Sequence, residues 1–442
     1  MILANSKYLI VQFFMGRSLQ SAVCILILID TVFANITDNQ LTPEERSFDN
    51  DGNFISNSNA IEKWIENHLF SYDPDTILTT PEIIRRAGYP AESYTVQTGD
   101  GYLLTMHRIP NDTGYPVFLQ HGFLSSSADW TFTGKGRALA YLLSDAGFDV
   151  WLGNYRGNTY SRSHIYLTPE FHEFWDFSWH EMGIYDMPAM IQHVYNYRKL
   201  PLIYIGHSVG TTALFVMAAN RPDMHDKIRL AICYAPVAIV THWKSPVRFL
   251  APFARTFEFL SVITGYKEIL SRNPASNLVS RWLCSWLRIQ QAVCETIIFS
   301  QVGPDYSELD LDIIPNLVAH FPAGSSSKAL LHYLQVHNSG QFRAYDYGIR
   351  KNLEVYHTIQ PPVYDASQMN VPMFFFYSLN DWLAPQQDVK SFYNELPNKY
   401  GIAEINYRSF SHEDFLWAHD ANTIVYDQTI EIIKSAINGS KY

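Results

Sequence analysis

The chain has 442 residues, 47% hydrophobic and 17% charged, with 28 Tyr, 27 Phe and 10 Trp. That composition excludes a disordered chain and supplies enough apolar side chains for a large core or an apolar binding site. A formal net charge of −11 excludes a nucleic-acid surface, which needs a basic face, and disfavours attachment to an anionic membrane.

Lys7 and Arg17 precede an apolar run at residues 22–29, and Val32-Phe33-Ala34 puts small residues at −3 and −1 of a cleavage site. Residues 1–34 therefore read as a secretory leader. The run falls short of the roughly 20 residues that span a bilayer, and Asp30 interrupts it. Removal of the leader would leave no integral membrane anchor. Residues 35–75 read as a polar N-terminal arm. Sequons at Asn35, Asn111 and Asn438 suit a glycosylated, exported chain. Of the cysteines beyond the leader, Cys284 and Cys294 are close enough in sequence to bridge a short loop. Cys233 follows Leu230-Ala231-Ile232 and reads as a buried free thiol. No His or Cys cluster has metal-ligand spacing, so neither a metal nor a cofactor is expected.

The folded part begins near Thr80-Pro81-Glu82, a helix start with proline in its first turn. Residues 93–98 and 102–109 are β-rich around Gly99-Asp100-Gly101, the pattern of a hairpin. Apolar strand runs follow at 116–120, 148–152, 202–205 and 229–235, with helical stretches at 136–146 and 185–197. Such alternation predicts a mostly parallel sheet flanked by helices, an α/β fold. Residues 236–341 change to amphipathic helical segments rich in Trp, Phe and Leu. They read as a helical cap or lid inserted at a carboxyl-end loop, splitting the α/β core into 76–235 and 342–442. The sheet is expected to resume at 371–377 and 404–408, with a last helix over 423–437.

Gly206-His207-Ser208-Val209-Gly210 stands between the run Leu202-Ile203-Tyr204-Ile205 and a helical stretch. This is a GxSxG nucleophile elbow in its strand–turn–helix setting, with Gly206 and Gly210 leaving room for the strained turn at Ser208. A serine nucleophile needs a base, an orienting carboxylate and oxyanion donors. Asp381 follows the Phe-rich run 373–377, and His412 follows the next expected strand, so serine, acid and histidine fall in the required chain order. Asp388 and His419 compete but read as helical, Asp346 precedes the strand, and Asp414 adjoins the histidine. Backbone N–H groups of Val209, beside the elbow, and of Phe123, after His121-Gly122, are the oxyanion candidates. His121 lies upstream of the serine and reads as a brace for that loop.

Several stretches together resemble the acid lipases, the gastric and lysosomal lipases and their invertebrate relatives. They are Gly101-Tyr102-Leu103-Leu104, Leu119-Gln120-His121-Gly122, Asp149-Val150-Trp151-Leu152-Gly153-Asn154, Arg156-Gly157-Asn158-Thr159, Gly206-His207-Ser208 with Gly210-Thr211-Thr212, and Asn380-Asp381-Trp382-Leu383-Ala384. The resemblance runs from about Thr80 to the C-terminus. It implies an α/β-hydrolase fold and a serine hydrolase of neutral-lipid esters acting at a lipid–water interface under a mobile lid. Ser208, Asp381 and His412 match its triad, Phe123 and Val209 its oxyanion positions, and Cys284 with Cys294 its disulfide. The family often has Gln, Leu and Ser where this chain has Val209, Phe123 and Tyr155. Secretion is expected, with the lysosome as the alternative. The rival functions are an esterase of small soluble esters and a retired lipid-binding or storage protein on the same fold.

Overall fold

The computed structural model describes residues 73–270 and 299–439, and two short strands before them. Cys284 and Cys294, Asn35 and the proposed leader lie outside the described residues. The chain divides into two compact units, Met1–Tyr72 and Asp73–Tyr442. In the first, Ser47–Phe48 and Phe54–Ile55 pair antiparallel.

The second unit is built on a nine-stranded sheet. Its main strands are β1 (Glu92–Gln97), β2 (Tyr102–Ile109), β3 (Pro116–Gln120), β4 (Asp149–Leu152), β5 (Leu202–His207), β6 (Ile228–Tyr234), β7 (Met373–Tyr377) and β8 (Lys399–Glu404). They lie in the order β8-β7-β6-β5-β3-β4-β2-β1, and Ser163–His164 adds to β2. Every pair from β8 to β4 is parallel, whereas β4–β2 and β2–β1 are antiparallel. The five residues of β3 and of β7 and all six of β5 are buried, as continuous apolar strands between two helical layers must be. By contrast β1 alternates, with Val96 buried between exposed neighbours. The winding reverses between β3 and β5. Their carboxyl ends therefore open a crevice at the switch point, where ligands of such sheets bind.

Among the described residues the α-helices of seven residues or more are α1 (Thr80–Arg86), α2 (Leu139–Asp145), α3 (Met187–Arg198), α4 (Val209–Asn220), α5 (Ala254–Thr264), α6 (Ile314–His320), α7 (Ser327–Ser339), α8 (Ile349–Tyr356), α9 (Gln386–Glu395) and α10 (Asp427–Ile437). A capping box starts α1, with the Thr79 N–H donating to Glu82 at 2.8 Å, which satisfies an end amide the helix cannot. Helix α4 is buried from Val209 through Ala218, so its apolar residues show no single stripe. Within 236–341, α5 leaves Phe257, Phe259 and Leu260 exposed, whereas α7 buries Leu331, Leu334 and Val336 in the main core.

The last strand differs from expectation. It occupies Lys399–Glu404 rather than 404–408, because its ladder on β7 runs from Met373↔Lys399 to Tyr377↔Glu404 and stops where β7 stops. As an edge strand it has no buried residue, and with Gly401 in its middle and Lys399 and Glu404 at its ends it lacks a continuous apolar run.

Candidate active site

Strand β5 ends at His207 and α4 starts at Val209, so Ser208 alone makes the turn, with φ 53° and ψ −116°. A side chain at positive φ is strained, and the turn holds only because both flanks are packed. Its neighbours explain the glycines. A Cβ on Gly206 would sit 2.7 Å from the Tyr204 ring, and one on Gly210 would sit 2.6 Å from the backbone oxygen of Gln120 in β3. No L side chain fits at those separations.

His412 and Asp381 reach this turn from the carboxyl ends of β8 and β7. The hydroxyl oxygen of Ser208 and Nε2 of His412 are 2.8 Å apart, and His412 Nδ1 lies 2.9 and 2.8 Å from the two oxygens of Asp381. Asp381 also accepts backbone N–H bonds from Leu383 at 2.8 Å and Ala384 at 2.6 Å, which leaves the carboxylate one orientation. Both His412 and Asp381 are buried, whereas Ser208 is half-buried. Burial alone would push the imidazole toward its neutral form. The charge and hydrogen bond of Asp381, aided by Glu413 and Asp414, outweigh it and raise the His412 pKa above the usual histidine value. This arrangement can move a proton off the Ser208 hydroxyl and hold the resulting imidazolium.

The loop after β3 closes against the elbow. A Cβ on Gly122 would meet His207 Nδ1 at 3.0 Å and the Ser208 Cβ at 3.3 Å. Phe123 and Val209 line one small pocket there, together with Tyr155, Asn158 and Met182. Val209 is the first residue of α4, so its N–H has no acceptor within the helix. Leu124 adopts φ 61°, and its carbonyl accepts from Ala323 N–H at 2.5 Å. His121 donates from Nδ1 to the Gly122 carbonyl at 2.8 Å.

The competing residues lie elsewhere. Asp388, on α9, binds His242 Nδ1 at 2.6 Å. Asp346 caps its own loop by accepting from Gly348 N–H and Asn352, and Asp414 accepts from the Ser411 N–H. His419 lies in an exposed turn, not on a helix, and pairs with Asp420; α10 starts only at Asp427, after a wide turn at Asn422–Tyr426. Among the described residues no group of three or more His, Cys, Asp or Glu could hold a metal, and Cys233 is a buried free thiol. Asn438 is exposed, whereas Asn111 is half-buried with its amide donating to the Gly147 carbonyl. One residue of the site gave no separate signal in the sequence: His207, the variable position of the elbow, donates from Nε2 to the backbone carbonyl of His412 at 2.9 Å.

Residues 115–418 match the family described as alpha/beta hydrolase fold, and residues 80–134 match a partial alpha/beta-hydrolase lipase region. Lipase 1 of Drosophila melanogaster is 38% identical over 83% of this chain and 82% of its own length. The chain belongs to the acid lipase family of α/β-hydrolases. Within that family it is also similar to Lipase lipl-1 of Caenorhabditis elegans, at 37% identity over 83% of this chain and 94% of the relative. Gastric triacylglycerol lipase of Bos taurus is 36% identical over 82% of this chain and 92% of its own. The reversed winding at β3 and β5 and the elbow at Ser208 are thus features of an acid lipase chain. No helix among the described residues is long and apolar enough to cross a membrane.

Proposed function

We propose that this acid lipase hydrolyses carboxylic esters of neutral lipids, triacylglycerols foremost, through an acyl-enzyme on Ser208. One observation carries the reading: the hydrogen-bonded chain from Ser208 through His412 to Asp381 at the mouth of the switch-point crevice. Ser208 Oγ attacks the ester carbonyl carbon while its proton passes to His412 Nε2. The negative charge on the carbonyl oxygen is met by the N–H groups of Phe123 and Val209. Collapse breaks the ester bond, with the His412 proton going to the departing alkoxide, and the acyl group stays on Ser208. Water then gives its proton to His412, attacks the acyl carbon and releases the fatty acid, restoring Ser208.

The substrate class is supported by the lipase relatives and by the exposed apolar side chains Phe249, Phe253, Phe259 and Ile263, which fit contact with a lipid–water interface. Residues 236–341 act in this reading as the cap on a core of 76–235 and 342–442. The leader at 1–34, glycans at Asn35, Asn111 and Asn438 and a Cys284–Cys294 bridge belong to the same proposal of an exported enzyme, secreted or lysosomal.

Labelling with a fluorophosphonate tests it. The purified protein should be modified at Ser208 and should cleave emulsified triacylglycerol faster than soluble short-chain esters. Activity retained by Ser208→Ala would overturn the mechanism; a preference for the soluble ester would overturn the substrate class. Asp381→Asn should lower kcat by as much as ~10⁴, as a misoriented base does in serine proteases.

A further inference from the structure

We infer that His121 and Asn158 are positioning residues that aim the Phe123 N–H at the developing oxyanion, a role that rests on the hydrolase reading above. In a trans peptide the C=O and the following N–H point in opposite directions, so whatever holds the Gly122 carbonyl also sets the direction of the Phe123 N–H. The holder is His121, whose Nδ1 meets the Gly122 oxygen at 2.8 Å. Gly122 cannot be held by a side chain of its own, since a Cβ there would crowd His207 and Ser208.

His121 can donate from Nδ1 to only one acceptor, and it needs the correct tautomer to do so. Its other nitrogen settles the matter. Nε2 receives the Tyr155 backbone N–H at 3.2 Å and faces the Asn158 side-chain amide nitrogen at 3.1 Å. Two donors aimed at Nε2 require a lone pair there, which leaves the proton on Nδ1. The Asn158 amide is itself oriented: its oxygen accepts from Tyr160 N–H at 3.0 Å, and its nitrogen also donates to Asn154 Oδ1 at 2.9 Å. Burial holds the His121 pKa down to about 4, so the ring stays neutral while substrates are turned over. The chain of control therefore runs from the Asn154 and Asn158 segment after β4, through one imidazole, to one peptide plane. Both asparagines come from stretches that also carry the family resemblance, although neither touches the Ser208–His412–Asp381 array.

A group that only filled space would be replaced equally well by Asn or Gln. A group that must donate from the Nδ1 position would not, because the Asn amide nitrogen overlays Nδ1, whereas the Gln amide nitrogen overlays Nε2. The test uses the full-length enzyme, a soluble short-chain ester, and a trifluoromethyl ketone that forms an oxyanion adduct with the catalytic serine. Losing one oxyanion donor outright costs ~10²–10³ in kcat. His121→Gln should approach that loss, His121→Asn should keep a larger share, and Asn158→Ala should fall between parent and His121→Gln. In all three KM should move little, and the inhibition constant for the ketone should rise by the factor by which kcat/KM falls. Thermal melting checks folding, and if His121→Gln does not fold, Asn158→Ala decides alone. Equal activity in the Asn and Gln variants, or a fall in kcat with unchanged ketone affinity, would overturn the inference. An inactive parent, or an active Ser208→Ala enzyme, would instead overturn the hydrolase reading on which it rests.

Discussion

His207 holds the backbone of His412: its Nε2 donates to the His412 carbonyl at 2.9 Å across 205 residues of sequence. The residue beside Ser208 thereby fixes the peptide that carries the proposed base. Burial keeps His207 neutral, with its pKa well below the usual value, so the tether does not titrate in the working range. A net hydrogen bond of this kind is worth about 0.5–1.5 kcal/mol. His207→Phe should therefore lower kcat by up to about tenfold, with KM little changed. Steady-state kinetics on a soluble ester checks it, and an unchanged kcat would show that the base is held by Asp381 alone.

The elbow is also a packing constraint. Adding one methyl at Gly210 places it 2.6 Å from the Gln120 backbone oxygen, an atom of β3 that cannot rotate away. Gly210→Ala should lower stability by about 1–3 kcal/mol, the range for overpacked cores. Because Gln120 precedes His121, the displaced strand should also lower activity. Urea unfolding of the two proteins measures the first effect; coincident midpoints would contradict it.

The acid limb of the rate profile should answer to Glu413. In the proposed mechanism neutral His412 is the base, so kcat/KM should fall as the pH drops through the free-enzyme His412 pKa. Glu413 is half-buried; burial raises its carboxyl to about 7, with His412 pulling it down and Asp381 pushing it up. Its negative charge is one of the influences that raise His412. In Glu413→Gln that influence is gone, so the His412 pKa should drop and the acid limb should move to lower pH, by less than about one unit. A pH profile of kcat/KM that stays in place, or moves upward, contradicts the coupling.

These three residues also mark where the sequence was readable. Ser208, Asp381 and His412 each follow a sheet strand, and the apolar runs of β5 and β7 made two of those positions legible. The strand before His412 did not, since Lys399–Glu404 is an edge with no buried residue whose Tyr400, Ile402 and Ala403 are split by Gly401; the alternation of Ile405 and Tyr407 points to 404–408 in its place. Asp388 lies on the helix expected of it. The helix expected at His419 is absent, and the turn in its place keeps the residue exposed. The His207 tether and the burial of Asp414 depend on partners far along the chain, such as Asp305 and Glu308 near Asp414. No local pattern encodes such meetings.

Arg156, within the stretch Arg156-Gly157-Asn158, offers a sharper test of what holds the crevice wall. Its guanidinium is buried, 2.6 Å from buried Asp186 and 2.6 Å from the half-exposed Asp100 of the β1–β2 hairpin, with the Tyr102 ring at 4.0 Å. Removing one partner of a fully buried pair costs about 3–5 kcal/mol, whereas solvent partly screens Asp100, whose side chain is 26% exposed, and reduces what it contributes. Asp186→Ala should therefore destabilise the protein far more than Asp100→Ala, although both touch the same arginine. The pH dependence has a defined sign as well. Burial, opposed by Arg156, raises the Asp186 carboxyl to about 6, so between its unfolded value near 4 and that value the folded state holds the extra proton. Stability contributed by this group falls as the pH rises through that window. Asp186→Asn should flatten that slope, and urea midpoints taken from pH 4 to 7 would register it; equal losses in the two alanine variants, or a slope unchanged in Asp186→Asn, would mean that Arg156 is held chiefly by Asp100 and the Tyr102 ring.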